Sequence, residues 1–157
     1  MTLVEHQRDN RRRHHRPVAL HPKLILFVFV GGAVGTAIRA VLAFAFPWTG
    51  TVPWTILVVN LCGALVLGFL LTALAVRTPE TDARRDVRLF AGTGIMGGFT
   101  TYSELASDSA VIFGTDPVLA ISFALLTVLG GVACAGIGVI AAKALVHRRV
   151  DLSTVHA

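Results

Sequence analysis

Apolar positions in this chain come in long, nearly continuous runs rather than in stripes. Leu24 to Phe46 is broken by one charged side chain, Arg39, and Trp54 to Val76 by one strongly polar one, Asn60. A later run, Pro117 to about Val146, carries Ser122, Thr127 and several glycines among its apolar residues. Each is long enough for the roughly 20 residues that a helix needs to cross a bilayer. Being hydrophobic all round, each reads as a span rather than as the face of a soluble helix. Pro47-Trp48-Thr49-Gly50 makes a turn with an interfacial aromatic after the first run, and Pro53 sits where the next helix tolerates proline, at its first turn.

Val87 to about Phe113 has a different pattern. Gly92, Gly94, Gly97 and Gly98 precede Thr100, Thr101, Ser103, Glu104, Ser107, Asp108 and Ser109. Such a helix inserts poorly alone, and glycines followed by paired threonines at bilayer depth favour an interrupted helix whose freed carbonyls need a partner other than lipid. Those carbonyls suit a hard cation, although a kink packed by neighbouring helices fits the same residues. The expected fold is an all-α membrane protein with spans at 24–46, 54–76, 87–113 and 117–146. A disordered basic arm occupies 1–23, a charged loop joins the second and third spans, and a tail follows at 147–157.

Composition agrees with this division. Of 157 residues 54% are hydrophobic and 15% charged, against about 25% charge in soluble domains. No room remains for a soluble domain. The net charge of +5 does not indicate nucleic acid, because thirteen of the fourteen Lys and Arg lie in three flanking segments that cannot bury a core. Anionic lipid headgroups are the better counter-charge. Cys62 and Cys134 lie inside apolar runs and read as small buried hydrophobes. His6, His14, His15 and His21 have no metal-ligand spacing, and no small-residue cleavage site follows the first run.

The charges also give a direction. The arm and its junction carry six basic residues, the loop between the second and third spans and its junction four (Arg77, Arg84, Arg85, Arg88), and the C-terminal end three, while the two opposite loops carry none. Four crossings put both termini on one side, and the positive-inside rule makes that side the cytoplasm. Within the spans, small residues four apart (Gly31 and Gly35, Gly94 and Gly98, Gly131 and Ala135) let helix backbones approach closely. Arg39 and Glu104 each lie about 6 Å beyond the midpoints of parallel spans, so Glu104, or Asp108 one turn further on, is the expected counter-charge for Arg39.

Gly97-Gly98-Phe99-Thr100-Thr101-Tyr102-Ser103 resembles the FluC (CrcB) fluoride channels, whose signature Gly-Gly-Phe-Thr-Thr-Phe-Ser it matches at six of seven positions. Gly31 to Arg39, and Asn60-Leu61-Cys62-Gly63 with Gly68, resemble further blocks of that family, so the resemblance covers residues 24–146. It implies an antiparallel dimer with two narrow fluoride pores and a central structural sodium ion, held here by the carbonyls of Gly97 and Thr100. The pore-lining positions it implies are Asn60, Tyr102, Ser103, Glu104, Leu105, Phe123 and Thr127. Several depart from the family pattern: Tyr102 and Leu105 replace phenylalanines, Glu104 replaces threonine, and Phe123 and Thr127 stand where the family has Tyr and Ser.

The charge bias and these departures point to pairing with a homologous chain of opposite bias, in the extreme as a supporting subunit with a degraded pore. A small proton-coupled exporter is the rival of similar size, but it needs a carboxylate in the first helix, where this chain has only Arg39. A membrane enzyme needs an activated nucleophile, and no histidine lies in any span to activate Ser103 or Ser107.

Overall fold

The computed structural model describes residues 21–47, 50–76 and 81–155, with side chains as far as residue 145. The arm with His6, His14 and His15, the turn residues Trp48 and Thr49, residues 77–80 and the tail side chains lie outside the described residues.

Helix α1 runs Pro22–Ala45, with its proline in the first turn, where the missing N–H costs nothing. Helix α2 runs Trp54–Ala75. Pro53 precedes it, is fully buried, and occupies the capping position rather than the first turn itself. Thr55 Oγ1 donates to the Phe46 carbonyl (2.8 Å), which ties the end of α1 to the start of α2.

The segment that follows is built of short pieces: α3 (Asp82–Val87), a π-helical stretch (Arg88–Ile95), α4 (Met96–Phe99) and α5 (Tyr102–Phe113). Helix α6 starts at Pro117 and continues to Val155, so its backbone stays helical through most of the expected tail. Asp116 Oδ1 accepts from Leu119 N (3.0 Å) and caps it.

Among the described residues three helices are long and apolar enough to cross a membrane: Pro22–Ala45, Trp54–Ala75 and Pro117–Leu145. The chain is a helical membrane protein. α2 packs chiefly against α6, α1 against the π-helical stretch and α4, and α5 against α6. Close approach at these contacts depends on glycine. A Cβ added at Gly35 would collide with the Ile95 carbonyl, one at Gly98 with the Gly32 carbonyl, and one at Gly68 with the Ala135 carbonyl. Without side chains between them, backbones can meet where no water-driven force holds the helices together. Much apolar surface remains outside these contacts, including Phe29, Phe44 and Val118, each more than 70% exposed.

Candidate functional site

The helical path stops at two residues. Thr100 (φ −79°, ψ 149°) and Thr101 (φ −142°, ψ 118°) are extended, between α4 and α5. In a continuous helix the N–H of residue i+4 would close on each carbonyl of this stretch. Here those donors are spent elsewhere. Thr101 N donates to Asn60 Oδ1 (2.9 Å) instead of the Gly97 carbonyl, and Glu104 N donates to Thr101 Oγ1 (3.2 Å) instead of the Thr100 carbonyl.

Asn60 answers the break like a strand partner. Besides accepting from Thr101 N, its Nδ2 donates to the Thr101 carbonyl (3.2 Å). One side chain thus pairs both backbone groups of one residue, leaving a single amide N–H for anything else. Gly63, three residues on, makes room for the Thr100 methyl and the Phe99 ring, which a Cβ would strike. Thr100 Oγ1 is satisfied by the Met96 carbonyl (2.9 Å).

On the α1 side the break meets Arg39 and Thr36. Arg39 Nε and Thr36 Oγ1 both donate to the Gly98 carbonyl (3.4 Å each). The Arg39 guanidinium also forms an ion pair with the Glu104 carboxylate. Of the two acids expected to serve Arg39 the structure selects Glu104; Asp108 Oδ2 is buried without a hydrogen-bond partner among the described residues. Glu104 is thereby turned toward α1.

Beside the break, α2, α5 and α6 enclose a groove of about 370 Å³, lined by Asn60, Thr101, Tyr102, Leu105, Thr127 and the small-residue face of α6 at Gly131 and Ala135. Four of the seven positions expected to line a pore meet here, Asn60, Tyr102, Leu105 and Thr127, together with Thr100. Tyr102 is 81% exposed at the mouth, and Thr127 is buried with Oγ1 donating to the Phe123 carbonyl (2.8 Å). Ser103 is exposed and shares a hydrogen bond with Thr101 Oγ1 (3.1 Å). Phe123 lies instead in the apolar core with Leu57, Leu105, Ile112 and Ala120, and Glu104 faces Arg39. Among the described residues no carboxylate lines the groove.

This arrangement of an open backbone, a paired asparagine and glycine-mediated contacts lies within residues 26–139, which match the family described as CrcB-like protein, Camphor Resistance (CrcB). The chain belongs to the CrcB family. It is 46% identical over 139 residues to the fluoride-specific ion channel FluC 2 of Leifsonia xyli subsp. xyli, covering 88% of this chain and 96% of the relative. It is 39% identical over 130 residues to the fluoride-specific ion channel FluC 1 of Cutibacterium acnes, covering 82% and 91%. A third CrcB relative, the fluoride-specific ion channel FluC of Chlorobium luteolum, is 37% identical over 125 residues, covering 78% and 95%.

Two of the features of this CrcB site that the sequence did not announce still have a local signal. Thr36 joins Arg39 at the Gly98 carbonyl, which its place one turn before Arg39 on the same face of α1 could have suggested. Thr101 is the cap of α5, and Thr101-x-x-Glu104 is the sequence signature of a capping box. Only half the box forms, because Asn60 already takes the Thr101 N–H and Arg39 takes the Glu104 carboxylate.

Proposed function

We propose that this chain is a subunit of a fluoride-selective channel, giving passive fluoride export and protection from fluoride toxicity. The observation that carries the reading is the groove beside the break: it offers donors at Asn60 and Tyr102, and the carboxylate that follows the motif, Glu104, is turned out of it and paired with Arg39. A pore for a small, strongly hydrated anion must replace water with donors and electropositive ring edges, and a fixed negative charge along the path would repel it. Tyr102 keeps the ring edge and adds an O–H donor, so it is a workable substitute for phenylalanine. The relatives' names, each a fluoride-specific ion channel, support the same choice of ion.

In this reading the segment from α3 to α5 is the third of four crossings, interrupted near its middle. The carbonyls of Gly97 and Thr100, whose helical donors are diverted, are free to hold a structural sodium ion, whose hard charge favours oxygen ligands. Gly97 lies on an open face, where an added Cβ would meet nothing within 4 Å. That face and the exposed Tyr102 are the surfaces for a second subunit packed antiparallel. Both termini then lie in the cytoplasm.

A heterodimer is favoured over a homodimer by one observation, the clustering of thirteen of fourteen Lys and Arg in three segments that the four-crossing reading puts on one side of the membrane. One strongly preferred orientation cannot supply both halves of an antiparallel pair. A homologous chain of opposite bias can, and it would complete pores that Leu105 and Glu104 leave unlike the family pattern. Expression in a bacterium made fluoride-sensitive by loss of its own exporter tests the function. The chain together with such a partner should restore growth in fluoride, and failure with every partner, despite membrane insertion, would count against it.

A further inference from the structure

Away from the break, α1 and the segment after α2 enclose a second groove of about 560 Å³. Its floor is apolar, formed by Leu24, Val28, Phe29 and Leu89, and two cations, Arg85 and Arg88, stand in its lining. The α1 side chains that line it run from residue 24 to residue 29, about 7.5 Å along the axis, so the groove dips from the end of the helix into the hydrocarbon region. The arginines stand at the loop end, on the basic side of the molecule. An apolar trench with cations at its headgroup end has the polarity of one lipid molecule.

Arg85 is placed to receive an anion. Arg85 forms an ion pair with Asp82 (3.2 Å), while its Nε is buried with no hydrogen-bond partner among the described residues. A guanidinium carries five N–H donors, so the Asp82 contact leaves most of them for an acceptor. Asp86, a second acid among the described residues here, pairs with Lys23 (2.8 Å), which also lies over the Phe27 ring (5.2 Å). A groove of about 410 Å³, lined by Leu26, Val30 and Phe90, serves as an internal contrast. It is similarly apolar but has Asp86 in its lining and no arginine. The chain's own arm carries Glu5 and Asp9 but five arginines, a net positive charge that is a weaker match for Arg85 and Arg88 than a phosphate.

We propose that the Leu24–Phe29 groove binds one anionic phospholipid of the leaflet on the basic side, with an acyl chain on Val28 and Phe29 and the phosphate on Arg85 and Arg88. This site is independent of the fluoride reading, since none of these residues lines the groove at the break. Bound there, a lipid would tie α1 to the start of the interrupted segment through the phosphate as well as through Lys23 and Asp86.

Native mass spectrometry of the full-length protein, stripped of lipid in mild detergent, tests it with phosphatidylglycerol and phosphatidylcholine of matched acyl chains. Phosphatidylglycerol should be retained preferentially, and R85Q/R88Q should reduce that preference on the order of tenfold. V28W, which fills the trench, should reduce retention of both lipids. Because V28W can also disturb packing, thermal unfolding of R85Q/R88Q with each lipid gives a second reading: phosphatidylglycerol should no longer raise its midpoint above that with phosphatidylcholine. Unchanged preference in R85Q/R88Q would overturn the proposal. So would equal binding of glycerol phosphate, which has no acyl chain, or loss of the subunit pair together with the lipid, which would make the groove part of a protein interface.

Discussion

Arg39 would be costly at bilayer depth without its partner: insertion of such a charge costs on the order of 2.5–3.5 kcal/mol. The ion pair to Glu104 offsets that cost and also removes a carboxylate from the groove. Similar depth along parallel spans made this pairing legible in the sequence. The pairing of Asn60 with Thr101 was not, because it depends on an extended residue 41 positions away, and no local pattern encodes it. A double-mutant cycle on E104Q and R39Q should show a coupling of about 1–3 kcal/mol in unfolding, the double variant losing less than the sum of the singles. Additive losses would mean the pair contributes nothing. The same pair changes how the pore should be restored toward the family pattern. Glu104→Thr would strip Arg39 of its counter-charge, so the informative variant is Tyr102→Phe with Leu105→Phe and Glu104 retained. It should raise flux, at a cost of about 1–3 kcal/mol for overpacking the buried Leu105 position. For Asn60, Asp keeps the acceptor for Thr101 N but sets a carboxylate against the Thr101 carbonyl and the groove. Fluoride flux should therefore fall further in Asn60→Asp than in Asn60→Ser, and equal flux in the two would make Asn60 purely a clamp on the backbone.

Among the elements, α1, α2 and the membrane part of α6 were legible from apolar content alone, since continuous runs of this length have few alternatives to a spanning helix. The end of α6 was not, because helical propensity in a basic, polar tail leaves no hydrophobic signature. The start of α5 was encoded by Thr101-x-x-Glu104, a signal masked by the pull of the glycines before it. Thr101→Val should remove both the cap on α5 and the bond to Ser103, lowering stability by about 1 kcal/mol or somewhat more in thermal unfolding. Glycines that look equivalent in sequence differ in what they meet. Gly35→Val must push α1 off the Ile95 backbone and should destabilise the single chain. Gly97→Val meets open space within the chain. It should leave the secondary structure of the detergent-solubilised chain intact while abolishing its pairing with a second subunit, as read by cross-linking. Equal loss of helicity in both variants would contradict this division.

For the whole molecule the governing features are its unburied apolar surface and its uneven charge. Only 17% of the most apolar 18-residue stretch of each of the three spans is buried within the chain. The rest must face lipid or another subunit. Cysteine labelling at the termini and at Thr51, with Cys62 and Cys134 replaced by alanine, reads the orientation: the termini should be reached only from inside the cell and Thr51 only from outside. Substantial labelling of the termini from outside would remove the argument for a partner of opposite bias. Neither the proposed partner nor the proposed ions leave a mark in a single chain's hydrophobic pattern, which is why the sequence points to them only through the charge bias and the family resemblance. The most direct test of the central claim is ion efflux from liposomes holding this chain together with a homologous chain whose basic loops lie on the opposite side. Fluoride should leave rapidly and chloride should be retained, with much slower fluoride loss from liposomes holding this chain alone. Fluoride retention in the paired liposomes, or chloride leaving as fast as fluoride, would contradict it.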